Sequence, residues 1–297
     1  MRFDILTIFP NFFSGPLDHG ILSRAISSGV VEVATHDLRA FTHDRHRTVD
    51  DRPFGGGEGM VLKAQPIFEC AESLGGIAPK TERHLSRQCV ILLSAQGKRF
   101  TQATAHRLAT LERVVLICGR YEGVDERVCD LLADEEMSIG DYVLSGGELA
   151  AAVVLDATVR LLPGVLGHAD SSRYESFGQG DDPADSMTAD GVPRSTHGAG
   201  GLLDYPHYTR PAEYRGVAIP EVLSGGDHAA IRRWRRQMAL KKTWRNRPDL
   251  LAPATLTDED HEYLASLGCH LSESRPASKL NVQAEILPNR ALGSYRR

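Results

Sequence analysis

The chain has 297 residues, enough for one large domain or two modest ones. Hydrophobic residues make up 41% and charged residues 25%, an ordinary globular balance that excludes wholesale disorder. With 34 Lys and Arg against 39 Asp and Glu, the formal net charge of −5 excludes a cationic coat, so any nucleic-acid contact must come from a local basic patch.

In chain order, short apolar runs at Phe3–Phe9, Cys89–Ser94, Val114–Cys118 and Asp141–Leu144 predict strands. The middle two are continuous and β-branched, as in strands buried on both faces of a parallel sheet. Helical patterns occupy Phe100–Glu112, Gly123–Ala133 and Leu149–Arg160, the last stopped by Pro163-Gly164. This alternation predicts an α/β domain over residues 1–167. Residues 168–201 are more than half Gly, Pro, Ser and Asp and predict a flexible interdomain linker. Residues 202–267 predict a small helical domain, with helices over Glu221–Leu251 and Thr257–Leu267, the second capped by its threonine. Residues 268–297 show no periodicity and are expected to be a poorly ordered tail.

Five cysteines (Cys70, Cys89, Cys118, Cys129 and Cys269), odd in number and with no C-x-x-C pair, argue against a disulfide framework or zinc knuckle and for a reducing compartment. Asp4 and Pro10 interrupt any signal-peptide core, and Asp156 and Arg160 break the longest apolar stretch. A soluble, cytoplasmic protein with no membrane partner is expected.

Three loops follow predicted strands: Ser94-Ala95-Gln96-Gly97, Cys118–Gly123 and Ser138–Glu148. Strand C-terminal ends are where α/β sheets bind ligands, and glycines there let main-chain groups reach a polar ligand. Gly55-Gly56-Gly57-Glu58-Gly59 is neither a Walker A loop nor a dinucleotide turn; it reads as a flexible loop or a place of close backbone approach. Ile231–Arg247 holds eight Arg and Lys and no acid, which suits phosphate binding better than an ordinary solvated face on a chain of net negative charge. Trp234 and Trp244, ten residues apart, fall on different helix faces and read as packing residues.

Gly119-Arg120-Tyr121-Glu122-Gly123-Val124-Asp125-Glu126-Arg127 and Ile139-Gly140-Asp141-Tyr142-Val143-Leu144-Ser145-Gly146-Gly147-Glu148 closely resemble the bacterial tRNA (guanine-N1)-methyltransferases, the TrmD family. Further strings match in order up to about residue 251, among them Asp4–Pro10, Asp51–Gly57, Pro163–Gly167, Tyr205–Pro211 and Ile231–Arg235. The resemblance implies a SPOUT fold, an α/β parallel sheet with a C-terminal trefoil knot, plus a small helical tRNA-binding domain. It further implies a homodimer with active sites at the interface, S-adenosylmethionine as cofactor, tRNA as substrate, and a requirement for Mg2+, for which the sequence offers no site.

Carried onto this chain, the cofactor pocket would comprise Ser94 and Gln96 of the first loop. From the second come Gly119, Arg120, Tyr121 and Glu122, and from the third Ser138, Ile139, Gly140, Tyr142, Leu144, Gly146 and Gly147. The RNA contacts would be Arg232, Arg233, Arg235, Arg236, Lys241 and Lys242. The family's general base is an Asp in an Asp-Ser-Phe string and its electrostatic partner an arginine just before Pro-Gly-Val. Here these positions are Glu175 and Arg160, with Asp170 a second candidate base and His168 a linker histidine. The expected reaction is methylation of guanine N1 immediately 3′ of the anticodon.

Three departures stand out: Ser-Ala-Gln-Gly for the usual Ser-Pro-Gln-Gly, glutamate for aspartate at 175, and an insertion of some twenty residues near 178–201. The last two keep open a related RNA methyltransferase with another target. A non-catalytic tRNA-binding protein is the remaining alternative, and the retained pocket loops argue against it.

Overall fold

The computed structural model describes residues 1–167, 175–178, 201–252, 254 and 256–269, and the chain clusters into two units, Met1–Ala199 and Gly200–Arg297. His168, Asp170, most of the predicted linker and the tail beyond residue 269 lie outside the described residues.

The first unit runs β1 (Arg2–Thr7), α1 (Ser14–Leu17), α2 (Gly20–Ser27), β2 (Glu32–Asp37), β3 (Asp50–Asp51), β4 (Val61–Leu62), α3 (Ala64–Ser73), β5 (Gln88–Arg99), α4 (Gln102–Ala109), β6 (Arg113–Cys118), α5 (Arg127–Leu131), β7 (Glu135–Ser138) and α6 (Glu148–Val159). Five strands make one sheet, ordered β2-β1-β6-β5-β7, with every pairing parallel. Side-chain alternation along the strands divides the core. Phe3, Ile5, Ile91, Leu93, Val114 and Leu116 pack on one face with Leu22 of α2, Leu108 of α4 and Val154 and Leu155 of α6. Leu6, Val90, Leu92, Val115 and Ile117 pack on the other with Ile67 and Cys70 of α3 and Val128 of α5. A sheet buried on both faces needs the continuous apolar runs seen in β5 and β6.

The expected strand at Asp141–Leu144 is not formed; those residues bend through a loop, and the strand lies earlier, at Glu135–Ser138. β7 and β2, neither of which the apolar runs marked, are the two edges of the sheet. An edge strand need not be apolar throughout, so Glu-Glu-Met-Ser and Glu-Val-Ala-Thr-His-Asp carry no buried-strand signature. β5 also runs beyond Ser94: its pairing with β7 breaks register between Leu93 and Lys98 and then resumes.

The second unit holds a two-stranded hairpin, β8 (Glu213–Tyr214) and β9 (Val217–Ala218), followed by α7 (His228–Asn246) and α8 (Asp258–Ser266). Leu202, Leu240, Leu251 and Leu264 form its core, with Trp244 against them. Trp234 instead meets Tyr208, ring centroids 6.3 Å apart. The single helix expected over Glu221–Leu251 is interrupted: Gly225-Gly226 separates a short 3-10 turn from α7, and Pro248 follows its end. The Asp227 carboxylate caps α7 by accepting from the Ala229 and Ala230 N–H groups. Thr257 and Asp260 form a reciprocal capping box on α8.

Candidate active site

The loops at the C-terminal ends of three adjacent strands, β6, β5 and β7, enclose a cleft of about 220 Å³. All thirteen residues expected at the cofactor pocket line it: Ser94 and Gln96 from the register break in β5, Gly119, Arg120, Tyr121 and Glu122 after β6, and Ser138, Ile139, Gly140, Tyr142, Leu144, Gly146 and Gly147 after β7.

Main-chain contacts hold these loops together. The Gly147 N–H donates to the Gly119 carbonyl at 2.9 Å, and Arg120 bridges to Gly146. A Cβ on Gly147 would stand 2.7 Å from the Cys118 Cα, so only glycine lets the two segments approach this closely. The Ser138 hydroxyl donates to the Gly140 carbonyl at 2.9 Å and folds the third loop back on itself. Tyr121 takes a left-handed backbone (φ 59°), unusual for an aromatic residue and a form of strain that collects at ligand sites. The glycine-rich segment is a close-approach element: the Glu122 N–H donates to the Met60 carbonyl at 3.0 Å, and Gly59 lies against the Glu122 side chain.

These residues suit S-adenosylmethionine. The cleft is walled by main-chain donors and acceptors and by small residues, as a compact polar ligand requires. The Arg120 Nε is buried and has no hydrogen-bond partner among the described residues, an orphaned donor at the wall. Cys118 behind the wall is no nucleophile, because burial and the nearby Glu148 carboxylate push its thiol far above its ordinary range.

Magnesium fits less well. Among the described residues, the one group with ligand atoms close enough to share a cation is Glu126, Cys129 and Glu136, within 4.8 Å of one another at the cleft margin. Burial, with Glu136 and Glu126 nearby, pushes the Cys129 thiol up to about 12. A protonated thiol is a poor partner for a hard, oxygen-seeking ion, so this group does not fit magnesium.

Arg160, at the end of α6, and Glu175 meet in a two-pronged ion pair: Nη1 with Oε1, and Nη2 with Oε2 at 2.7 Å. Each side chain is 26% exposed, so the pair is open to an incoming group. The Glu175 contact raises the arginine further above its already high value, and it stays cationic. Asp170 lies outside the described residues.

In the second unit the six expected RNA contacts divide. Arg236 turns inward, where its guanidinium forks onto the buried Asp260 carboxylate, with Nη2 to Oδ2 at 2.7 Å. Its charge is paired within the fold, whereas Lys242 on the same helix is exposed. Arg233 forms an exposed ion pair with Glu259 at 3.0 Å, a contact of little energy that phosphate can displace. Arg235 lies over the Tyr205 ring at 5.0 Å, and Lys242 is exposed, while Arg232 and Lys241 are half-buried on the same helix.

Thr7, Phe9 and Glu148, which the sequence does not mark as site residues, brace Arg120 from behind the cleft. Glu148 reads as an ordinary acid in a first helical turn, and nothing in the sequence marks its burial.

The profile of the family described as tRNA (Guanine-1)-methyltransferase TrmD matches residues 1–253. A tRNA (guanine-N(1)-)-methyltransferase of Koribacter versatilis is 60% identical over 267 residues, covering 90% of this chain and 98% of the relative. Those of Geobacter sulfurreducens and Moorella thermoacetica are each 49% identical, covering 90% and 93% of this chain and 98% and 100% of their own lengths. With the family profile spanning most of the sequence and relatives aligned over nearly their whole lengths, the chain belongs to the TrmD family of tRNA (guanine-1)-methyltransferases and is a methyltransferase.

Proposed function

We propose that this enzyme methylates N1 of the guanine immediately 3′ of the anticodon in tRNA, with S-adenosylmethionine as donor. The observation that carries the reading is the convergence of all thirteen motif residues on one cleft at the strand ends. S-adenosylmethionine, when bound, supplies an electrophilic methyl group on a sulfonium centre. The second and third loops would hold it through their main-chain groups. The close crossing of Cys118-Gly119 and Gly146-Gly147 supports a knotted chain here.

Guanine N1 carries a proton and is a poor nucleophile until that proton leaves. The N1–H donor sits beside the O6 acceptor, so the recognising groups must be an acceptor next to a donor, and a cation is the donor that best meets negative charge developing on O6. Glu175 and Arg160 are such a pair. While forked to Arg160, both oxygens of the Glu175 carboxylate are engaged. The guanine edge offers each a replacement partner: Glu175 accepts the N1 proton, and Arg160 turns to O6, where negative charge develops. Glutamate for the family's aspartate extends the carboxylate by one methylene, and the two-pronged contact with Arg160 is made at that length. The target base must leave its stack to reach the pair.

Arg232, Arg233, Arg235, Lys241 and Lys242 are the proposed phosphate contacts of the helical unit. Exposed Leu149 and Val153 on α6 support a second copy of the chain as partner and a dimer with sites at the interface. No described helix is long and apolar enough to cross a membrane, and a tRNA substrate supports a cytoplasmic place of work.

The test is incubation with labelled S-adenosylmethionine and unmodified tRNA bearing guanine after the anticodon, followed by nucleoside mapping. One 1-methylguanine at that position is expected. Label on another nucleotide would transfer the reading to a different RNA target, and no label would refute it.

A further inference from the structure

Glu148 occupies a costly position. Its side chain is 4% exposed, at the first turn of α6 and directly behind the cleft, which it does not line. A buried carboxylate needs compensation, and three sources are present. The Thr7 hydroxyl, from the end of β1, donates to Oε1 at 2.8 Å. Arg120 Nη2 stands 3.6 Å from Oε2. The N-terminus of the 12-residue helix α6 adds its dipole.

These contacts close a circuit around Arg120. Its guanidinium lies over the Phe9 ring, 4.4 Å from the centroid, and the Phe9 N–H donates to Thr7 Oγ1 at 2.9 Å. Thr7 holds Glu148, and Glu148 faces Arg120. Gly146 makes room for the arrangement: a Cβ there would stand 2.5 Å from Glu148 Oε2 and 2.6 Å from Arg120 Nε. Three chain segments are thereby tied together around one arginine at the cleft wall. That arginine still carries an orphaned Nε donor and an ion pair longer than a hydrogen bond, so its direction rests on charge and on the ring beneath it.

We propose that Glu148 is a positioning residue: held by Thr7, its buried charge fixes Arg120 against Phe9 and sets the wall on which the cofactor is received. The proposal rests on the reading of the cleft as an S-adenosylmethionine site. It assigns Glu148 no contact with the cofactor and no proton transfer.

The test is calorimetric titration of the free enzyme with S-adenosylhomocysteine, beside tRNA affinity and thermal melting. Glu148→Gln keeps the shape and an acceptor for Thr7 but removes the charge. It should weaken S-adenosylhomocysteine about tenfold, roughly the loss of one charge-assisted contact. Affinity for tRNA should be unchanged and melting should shift by less than about 5 °C. In an Arg120→Ala background the same substitution should add less than about a twofold further loss, because the two residues act through one contact. Should Glu148→Gln melt early, Thr7→Val against Thr7→Ser makes the comparison with the carboxylate in place: valine should weaken binding, and serine should restore it. Unchanged binding in Glu148→Gln, or losses that multiply with those of Arg120→Ala, overturns the inference alone. A wild-type enzyme that binds no S-adenosylhomocysteine overturns the parent reading and this inference together.

Discussion

The cofactor cleft and the Arg160–Glu175 pair are built in opposite ways. The cleft is made of main chain: loops at the ends of three neighbouring parallel strands, crossing where glycine alone fits. The pair is made of two side chains, one at the end of α6 and one on a short turn between residues outside the described structure. A ligand that must be gripped in one conformation gains from walls already ordered before it arrives. A proton acceptor must change partner during the reaction, and a single ion pair open to solvent can do so. The cleft should therefore resist added atoms at its glycine crossing, whereas the pair should be most sensitive to lost ones.

The largest expected effect breaks the pair. Glu175→Gln keeps the shape and removes the base, and should lower kcat by about 10²–10⁴ while S-adenosylhomocysteine still binds with wild-type affinity. Single-turnover methyl transfer beside calorimetry separates the two quantities. Next is Asp260→Ala in the helical unit, which leaves the inward-facing Arg236 without its carboxylate and should cost about 3–5 kcal/mol, read by denaturant unfolding of that unit.

The Asp260 carboxyl also gives a pH dependence. Burial pushes it up, but the Arg236 guanidinium and the Thr257 N–H outweigh burial and hold it below its ordinary value. A carboxyl lowered on folding contributes stability above its unfolded value and loses it as pH falls through the folded one. The helical signal of this unit should therefore be steady at neutral pH and decline in acid below about pH 4, the ordinary carboxylate range. Asp260→Asn should lose that decline.

Adding one methyl to the cleft comes third. Gly147→Ala crowds the Cys118 backbone and should weaken cofactor binding about ten- to hundredfold through a shift of the loop, the usual scale of overpacking. The smallest effect belongs to single cations on α7. Lys242→Ala should weaken tRNA a few-fold and reduce the log–log salt slope by about 1. A larger loss would give that residue more than a phosphate contact.

How much of this was legible depended on where the signal lay. The interior strands β5 and β6 stand out because burial on both faces demands unbroken apolar runs, and β1 is a largely apolar run broken by the buried Asp4, whereas the polar edge strands β2 and β7 carry no such signal. The cleft residues were legible as strings resembling a family; composition and spacing alone gave only glycine-containing loops after strands. Arg236 looked like its basic neighbours, and only the buried Asp260 across from it, 24 residues later, reveals its inward role. Glu148 escaped for the same reason: its partners Thr7 and Arg120 are distant in sequence, and burial is a property of the assembled sheet.

The most direct test of the central claim is the structure of the full-length enzyme with an S-adenosylmethionine analogue and substrate tRNA bound. The account predicts the analogue in the cleft among the second and third loops, with Glu175 released from Arg160, its carboxylate within hydrogen-bond reach of guanine N1 and the guanidinium at O6. A guanine seated beside the analogue with the Arg160–Glu175 fork still closed, and another group at N1, would contradict it.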